Sequence, residues 1–262
     1  MGKIVLIRFQ EVIVLTLSQN VPPVVLIGSE VAVLQDQIAA QGGVWFHGDT
    51  DHVLKDGDLV AGWRAQDARS IAVPTAPNAG ASHYDLDRAG FVFQSGLHCG
   101  FTLPNAVAKI DRFTAVIVYS VFQDEARSLF SLNTGASNAM IFLSEADGKL
   151  FAKDRAGSIE ISLPAPPRYS QNQMVILSFD RRRLFLWAGG EMVSAAGRPE
   201  GLDAAADLFI GCRSNRAGLV KTLGASVIHD LMFWPDRVLL SSTDARDMAT
   251  LAAVHRYRRW AL

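Results

Sequence analysis

Short apolar segments separated by turn residues dominate the chain between residues 91 and 234. The segment 113–122 is almost continuously apolar, which is typical of a strand that is covered on both faces. Asp147 followed by Gly148 marks a hairpin turn, because Asp-Gly readily adopts the positive φ that tight hairpin turns need. This pattern leaves little room for helices and predicts an all-β fold of two stacked antiparallel sheets.

The end of the chain has a different pattern, which is typical of a helix. Ser241 or Ser242 can accept a hydrogen bond from the first-turn amides, and the arginines near the end suit the negative end of the helix dipole. Apolar residues recur at steps of three and four and predict one face that lies against a sheet. The residues of that face are Ala245, Met248, Leu251, Ala252 and His255. We therefore expect a short C-terminal helix.

The first 40 residues form a segment of their own. Residues 3–9 and 11–17 are rich in β-branched side chains and predict two strands, and a third is predicted at 24–27 after two prolines. A short helix is predicted over 30–41, where the glycine pair that follows would end it.

Such short apolar strands at a chain terminus cannot bury both of their faces alone. We therefore expect residues 1–40, called the arm below, to pair within a small sheet, with another subunit or with a larger assembly. The alternative is that these strands simply extend the main sandwich. The predicted organisation is an anchoring and oligomerisation arm at 1–40 and one domain, called the body, at 41–262.

Charge and composition exclude several classes of protein. The formal net charge is -1, with 25 Lys and Arg against 26 Asp and Glu, so no overall field attracts nucleic acid. The apolar stretch at the start is interrupted by charged residues and is too short to span a membrane, and no small-residue cleavage site follows it. We expect no signal peptide, no membrane span and assembly in the cytoplasm. Two cysteines are too few for a disulfide framework.

Several aromatic and glycine segments follow one another in a recognisable order. They are 43–46 (Gly-Val-Trp-Phe), 62–63 (Gly-Trp), 89–93 (Ala-Gly-Phe-Val-Phe), 183–191, 210–211 (Ile-Gly) and 233–234 (Phe-Trp), followed by the closing helix. Together they resemble the concanavalin A-like, laminin G-like jelly-roll domains, in the versions attached to proteins of phages and phage-like particles. The resemblance covers about residues 41–262.

This resemblance implies a jelly-roll sandwich of two antiparallel sheets, commonly with a role in carbohydrate binding or adhesion, and in some members a bound calcium ion. It also places the protein on the surface of a virion-like particle, as a head spike or tail fibre. Function varies widely on this fold, so these implications are associations.

Some jelly rolls of this class resemble endo-glucanases, whose retaining chemistry needs two carboxylates about 5 Å apart. On one strand, that pair would be two glutamates with an aspartate between them. The sequence contains no such run, and it contains no His-Glu-x-x-His arrangement. We therefore predict no catalytic residues and a protein that is not an enzyme, with a glycoside hydrolase as the minority alternative.

Metal ligands are concentrated in one part of the chain. Asp49 and Asp51, like Asp56 and Asp58, supply the hard oxygen ligands that calcium prefers. His47 and His52 flank the first pair and the cluster could bind a metal, but a polar turn after Trp45 is the favoured explanation. We predict no resident metal and no required cofactor, with calcium as the minority alternative.

A sugar site needs an aromatic plate and nearby planar polar groups. Trp187 ends a predicted hairpin strand and is the tryptophan expected to be exposed, whereas most of the others are expected in the core. The loop 212–218 offers the guanidinium groups of Arg213 and Arg216 and the amide of Asn215, which suit an acidic polysaccharide. An ordinary polar loop is the alternative interpretation.

The sequence thus favours a spike-type or fibre-type structural protein of a phage-like particle that binds a polysaccharide of the cell surface or capsule. Its expected partners are this polysaccharide and other particle proteins, in a homo-oligomer or hetero-oligomer formed through residues 1–40, without nucleic acid. The alternative from another class is a purely structural module that binds protein and decorates the particle.

Overall fold

The computed structural model describes residues 3–8, 11–16, 23–75, 81–122, 125–136, 139–166, 172–215 and 223–261. Its two helices are α1 (Pro23–Ala40) and α2 (Ala245–Ala261). The strands are β1 (Lys3–Arg8), β2 (Glu11–Thr16), β3 (Val44–His47), β4 (Val53–Asp56), β5 (Leu59–Arg64), β6 (Ile71–Pro74), β7 (His83–Asp85), β8 (Gly90–Gln94), β9 (Phe101–Val107), β10 (Arg112–Val121), β11 (Arg127–Asn133), β12 (Met140–Ala146), β13 (Lys149–Asp154), β14 (Glu160–Pro164), β15 (Gln173–Asp180), β16 (Arg183–Ala188), β17 (Glu191–Ala196), β18 (Ala206–Ile210) and β19 (Ala225–Trp234).

The strands form two large antiparallel sheets and one hairpin. The first sheet has the order β17-β16-β15-β10-β19-β8-β7, and β3 also pairs with β19. The second sheet has the order β14-β13-β12-β11-β18-β9-β6-β5-β4. Among the described residues, β1 and β2 pair only with each other. The predicted all-β sandwich with a C-terminal helix and a strand-forming N-terminal arm is confirmed.

The two sheets face each other across an aromatic and aliphatic core. Phe113, Phe130 and Phe233, from three different strands, pack with their ring centroids 5.6–6.3 Å apart. Burying one such side chain stabilises a fold by about 1.5–3 kcal/mol, so this cluster is a main source of stability. Trp45, Trp63 and Trp234 are buried, in agreement with their predicted place in the core.

The outer face of the first sheet is covered by both helices. Leu34 and Ile38 of α1 and Ala253 and Val254 of α2 are buried there. The sheet contributes Trp45, Val116, Val118, Met174, Ile176, Met232 and Trp234 to this second core. The second half of α1 therefore packs on the body, while the domain boundary near residue 40 stays a prediction.

A β-bulge decides what β19 presents to each of its two faces. Val118 pairs with Asp230 and Tyr119 pairs with Ile228, so His229 is an extra residue in β19. Because a bulge shifts the alternation by one residue, Ile228 points into the inner core and Asp230 lies on the helix side.

The carboxylate of Asp230 links the C-terminal helix to the first sheet. Its Oδ1 accepts a hydrogen bond from Nε1 of Trp45 at 2.9 Å, and its Oδ2 accepts one from the Tyr257 hydroxyl at 2.8 Å. Burial, followed by the charge of Asp230, raises the pKa of Tyr257, so this hydroxyl keeps its proton. The pair of bonds fixes the position of α2 on the sheet.

Two segments differ from their predicted structure. The predicted strand at 24–27 is wrong, because these residues lie in α1, which begins at Pro23. Proline is favoured in the first turn of a helix, and the helix gains burial at its far end. Residues 65–90 are rich in Ala, Pro, Asn and Gly, a composition that predicts a long surface loop. They contain the short strands β6 and β7, which are too brief to show a sequence pattern.

The start and the packed face of α2 also differ from prediction. Asp244, not a serine, caps the helix, because its Oδ1 accepts hydrogen bonds from the first-turn amides of Arg246 at 2.9 Å and Asp247 at 3.2 Å. Met248 is 56% exposed, whereas Thr250 is fully buried. The register of the helix is therefore rotated away from the predicted apolar face.

The core is tightly packed against Gly211, which follows β18. Gly211 has a φ of +71°, and an added Cβ would overlap the ring of Phe93, whereas Gly189 has a φ of +63° and open space around it. We expect Gly211→Ala to lower the free energy of unfolding by about 1–3 kcal/mol more than the control Gly189→Ala, because only the first overpacks the core. Urea denaturation of the two variants measures this difference, and equal losses would contradict it.

Candidate binding face on the second sheet

The outer face of the second sheet carries polar and aromatic side chains. On β12, Ile141 and Leu143 point into the inner core, so Phe142 and Ser144 lie on the outer side. No described helix covers this side, in contrast to the first sheet. The face around these two residues of β12 is called the outer face below.

A second bulge brings a serine of β11 onto the outer face. Ser128 pairs with Ser144 and Phe130 pairs with Leu143, so Leu129 is the extra residue. Leu129 and Phe130 both belong to the inner core, and Ser128 is displaced outwards beside Ser144. The bulge thus places two hydroxyl groups next to each other on one face.

Arg213 lies across this pair of serines. It follows β18 through Gly211, whose left-handed backbone turns the chain at the end of the strand. Its Nε donates a hydrogen bond to Ser128 Oγ at 2.9 Å, and its Nη2 donates one to Ser144 Oγ at 2.8 Å. Its guanidinium carbon lies 3.9 Å from the centroid of the Phe142 ring. This stacked arrangement is a cation–π contact, and it holds the guanidinium flat on the sheet.

The charge of Arg213 is not neutralised by any carboxylate among the described residues. Burial, followed by repulsion from Arg127 and Arg155, lowers the pKa of Arg213 to about 10. Arg127 pairs with Glu125 at 3.0 Å, whereas no such ion pair of Arg213 exists in the described ranges. Arg213 still carries its charge at neutral pH, so the outer face holds a fixed cation.

Further groups extend the outer face around Arg213. The ring of Phe151 meets that of Phe142 edge-on at 6.2 Å, and Lys153 lies 5.4 Å from the Phe151 centroid. Ser131, which pairs with Phe142 across the strands, has a fully buried Oγ without a hydrogen-bond partner. The face therefore combines aromatic rings, a cation and an unused hydroxyl group.

The predicted sugar-binding residues are divided between two sides of the sandwich. Asn215 is exposed near Arg213, and its side chain forms a hydrogen bond with Thr75. Trp187 lies on the helix side of the first sheet, where its ring meets that of His255 at 4.7 Å. Arg216 lies outside the described residues. Arg213 and Asn215 lie two positions apart in the same loop, whereas Trp187 lies on the opposite side of the sandwich.

The predicted metal cluster lies in the turn after β3. Nδ1 of His47 is 3.9 Å from Asp49 Oδ2, and Nε2 of His52 is 3.6 Å from Asp49 Oδ1. Within the described ranges, no group of three His, Cys, Asp or Glu side chains is arranged to hold a metal ion. The absence of a resident metal stays a prediction, with calcium binding at these aspartates or at Asp56 and Asp58 as its alternative.

Ser128, Ser144 and Phe142 are site residues that are not among those predicted from the sequence. Their signal is a break in the alternation, since two serines three positions apart, at 128 and 131, enclose the apolar pair Leu129 and Phe130. In a regular strand, residues three apart point to opposite faces. Such a break predicts a bulge, although only the three-dimensional structure shows that Arg213 lies over it.

Several solved structures share the fold of this chain at low sequence identity. The structure of Trypanosoma rangeli sialidase in complex with sialic acid matches with a TM-score of 0.58 and 12% identity, over 91% of this chain and 40% of that chain. The same sialidase as a covalent intermediate with 2,3-difluorosialic acid matches with a TM-score of 0.57 and 13% identity, over 88% and 39%. The chain thus spans about two fifths of the length of the sialidases it matches.

The fold is a concanavalin A-like, laminin G-like jelly roll. Domains LG4-5 of the mouse laminin α1 chain also match this jelly roll, with a TM-score of 0.41 and 16% identity, over 53% of this chain and 40% of that chain. No protein-family model and no curated protein matches the sequence. At these identities the similarity concerns the jelly-roll fold.

The prediction that the protein is not an enzyme is contradicted by these comparisons. The fold is shared by Trypanosoma rangeli sialidase, which was also solved as a covalent intermediate, although non-enzymes share it too. The argument against an enzyme relied on the carboxylate pattern of one class of hydrolases. A missing glutamate pair does not exclude other chemistry, because sialidases use a tyrosine nucleophile.

Neither of the helices described is both long and apolar enough to cross a membrane.

Arg213 should be dispensable for folding. Replacing it with methionine removes a buried cation that lacks a carboxylate and keeps an apolar side chain on Phe142, while two serine hydroxyls lose a donor. These effects oppose each other, so we expect Arg213→Met to change the free energy of unfolding by no more than about 1 kcal/mol at neutral pH.

The difference in stability between the wild type and Arg213→Met should depend on pH. Because burial lowers the pKa of Arg213 in the folded protein to about 10, below its ordinary value, the wild type should gain stability relative to Arg213→Met as the pH rises through about 10. Urea denaturation of both proteins from neutral to alkaline pH measures this. A relative loss of wild-type stability over that range would show that a carboxylate partners the guanidinium.

Proposed function

We propose that this protein is a carbohydrate-binding module that recognises a polysaccharide of the cell surface or capsule through the outer face of the second sheet. The observation that carries the proposal is Arg213, whose guanidinium lies on Phe142 and is held by two serine hydroxyls. No described carboxylate neutralises it, so it is available to a ligand.

The surroundings of Arg213 match what a sugar requires. Sugar rings stack on aromatic side chains, and their hydroxyl groups bind planar polar groups. Phe151 is partly exposed beside Phe142, and Asn215 presents an exposed amide. The sialidase neighbour solved with sialic acid shares the fold and supports a sugar as the class of ligand.

We further propose that the protein is a spike-type or fibre-type component on the surface of a phage-like particle. Two features support this role: the resemblance of residues 41–262 to appendage domains, and the hairpin of β1 and β2. A two-stranded hairpin is marginally stable alone, so the arm gains stability by docking into an oligomer or into other particle proteins.

The same hairpin favours a second candidate function, a structural module that binds protein and decorates a particle without contacting sugar. The two functions differ in what Arg213 does. In the decoration module, the outer face has no ligand. Substitution of Arg213 then changes neither glycan binding nor assembly.

A glycan array measured with and without Ca²⁺ tests the proposed function. The wild type should bind a set of polysaccharides, and Arg213→Met should lose at least about tenfold in affinity, since a hydrogen bond to a charged group contributes about 1.5–3 kcal/mol. Arg246→Met is the matched control, because Arg246 is an exposed arginine on α2, on the other side of the sandwich. Trp187→Ala is the third variant.

The outcomes separate the two faces of the sandwich. Loss of binding in Trp187→Ala with normal binding in Arg213→Met would move the site to the helix side. Absence of any glycan hit for the wild type would contradict the carbohydrate-binding function and leave the decoration module. Binding only in Ca²⁺ would contradict the predicted absence of a metal and support the calcium alternative.

Removing residues 1–22 tests the role of the arm. This deletion takes away β1 and β2 and keeps α1, whose Leu34 and Ile38 are buried on the body. We expect the truncated protein to keep its circular-dichroism spectrum and to sediment as a monomer, while the full chain sediments as an oligomer. A full chain that is already monomeric, or a truncated chain that still assembles, would reject the arm as the oligomerisation element.

A further inference from the structure

We infer that the ligand of the outer face carries a carboxylate, as an acidic sugar does, and that this carboxylate binds end-on to the guanidinium of Arg213. The inference rests on the proposed carbohydrate-binding function and names the chemical class of the sugar. It is carried by the geometry of one side chain and by the charges around it.

The hydrogen bonds of Arg213 leave one edge of its guanidinium unused. A guanidinium has five N–H donors. Nε donates to Ser128 and Nη2 donates to Ser144, so these two hydrogen bonds use the edge of the guanidinium that Nε and Nη2 form. The two terminal nitrogens still hold N–H groups at the end of the fork, which is the edge that binds a planar carboxylate with two parallel hydrogen bonds.

The serines and Phe142 hold this edge in place. The side chains of Ser128, Ser144 and Phe142 lie in adjacent strands of one sheet and contact the guanidinium from two directions. Because the side chain is already fixed, a ligand does not have to order it, and less free energy is lost on binding.

The local field selects for a negative ligand. Arg213 is mostly desolvated and lies close enough to Arg127 and Arg155 to be repelled by both. A buried cation without a counter-ion is energetically costly, and an arriving carboxylate relieves this cost. A neutral sugar offers no such gain, so the site should discriminate between a uronic acid and its ester.

The buried hydroxyl of Ser131 is an independent sign of a missing polar partner. Ser131 is fully buried on the outer face, directly across from Phe142, and its Oγ has no hydrogen-bond partner. Buried hydroxyl groups are usually hydrogen-bonded. A ligand oxygen or a water molecule brought by the ligand would satisfy it.

An NMR titration of the full chain with glucuronate, observed at the Nε–H resonance of Arg213, tests whether the guanidinium binds a carboxylate. Glucuronate should shift this resonance to saturation, and its neutral methyl ester should bind at least about tenfold more weakly, because the two differ by one charge-assisted interaction. Glucose 6-sulfate is the third ligand, since a sulfate presents a tetrahedral anion. Thermal stabilisation by each ligand is the second readout.

Variants assign the effect to the guanidinium fork. Arg213→Lys keeps the charge and removes the fork, so it should bind glucuronate more weakly than the wild type and more tightly than Arg213→Met. Arg246→Met, the control on α2, should behave as the wild type.

Three results would overturn the inference: an Arg213 resonance that glucuronate does not move, an equal response to the ester, and a stronger response to the sulfate. These results are distinct from a failure of the proposed function. An array that yields only neutral glycans, together with no response to glucuronate, would leave a carbohydrate-binding protein without carboxylate recognition. Glucuronate binding without any polysaccharide hit would leave an anion site on a protein that binds no glycan.

Discussion

All ten residues of β19 are buried, and this double-sided burial is the constraint on which the rest of the structure depends. The strand pairs with β10 on one side and with β8 and β3 on the other, so it has no free edge. One of its faces completes the core between the sheets, and its other face forms the floor under both helices. A strand in this position needs apolar residues on both faces, with any polar group satisfied internally.

The two bulges give the two sides of the sandwich different properties. In β19, the bulge at His229 turns a carboxylate towards the helices, where Trp45 and Tyr257 satisfy it. In β11, the bulge at Leu129 turns the Ser128 hydroxyl to the outer side of the second sheet, where it is buried and accepts a hydrogen bond from Arg213. The extra residue in β19 thus helps to fix a helix on one side of the sandwich. The extra residue in β11 helps to create a polar site on the other side.

The features that the sequence predicts are those that repeat along the chain. The alternation of short apolar segments and turns predicts the two sheets, and the tryptophan pattern predicts a buried Trp45 and Trp234. The site is harder to predict, because Arg213 contacts Ser128 and Ser144 only after strands distant in sequence become neighbours. The sequence at the start of α1 predicts a strand wrongly, since a short apolar run has no periodicity that distinguishes a helix from a strand.

The packing of α1 has a geometric consequence for the proposed attachment through the arm. Leu34 and Ile38 lie against the first sheet, whereas Arg213 lies on the second, so roughly 20 Å of helix and sandwich layers separate them. Copies tethered side by side through their arms would all point their cations away from the support. Weak individual contacts with a repetitive polymer would then add up through avidity.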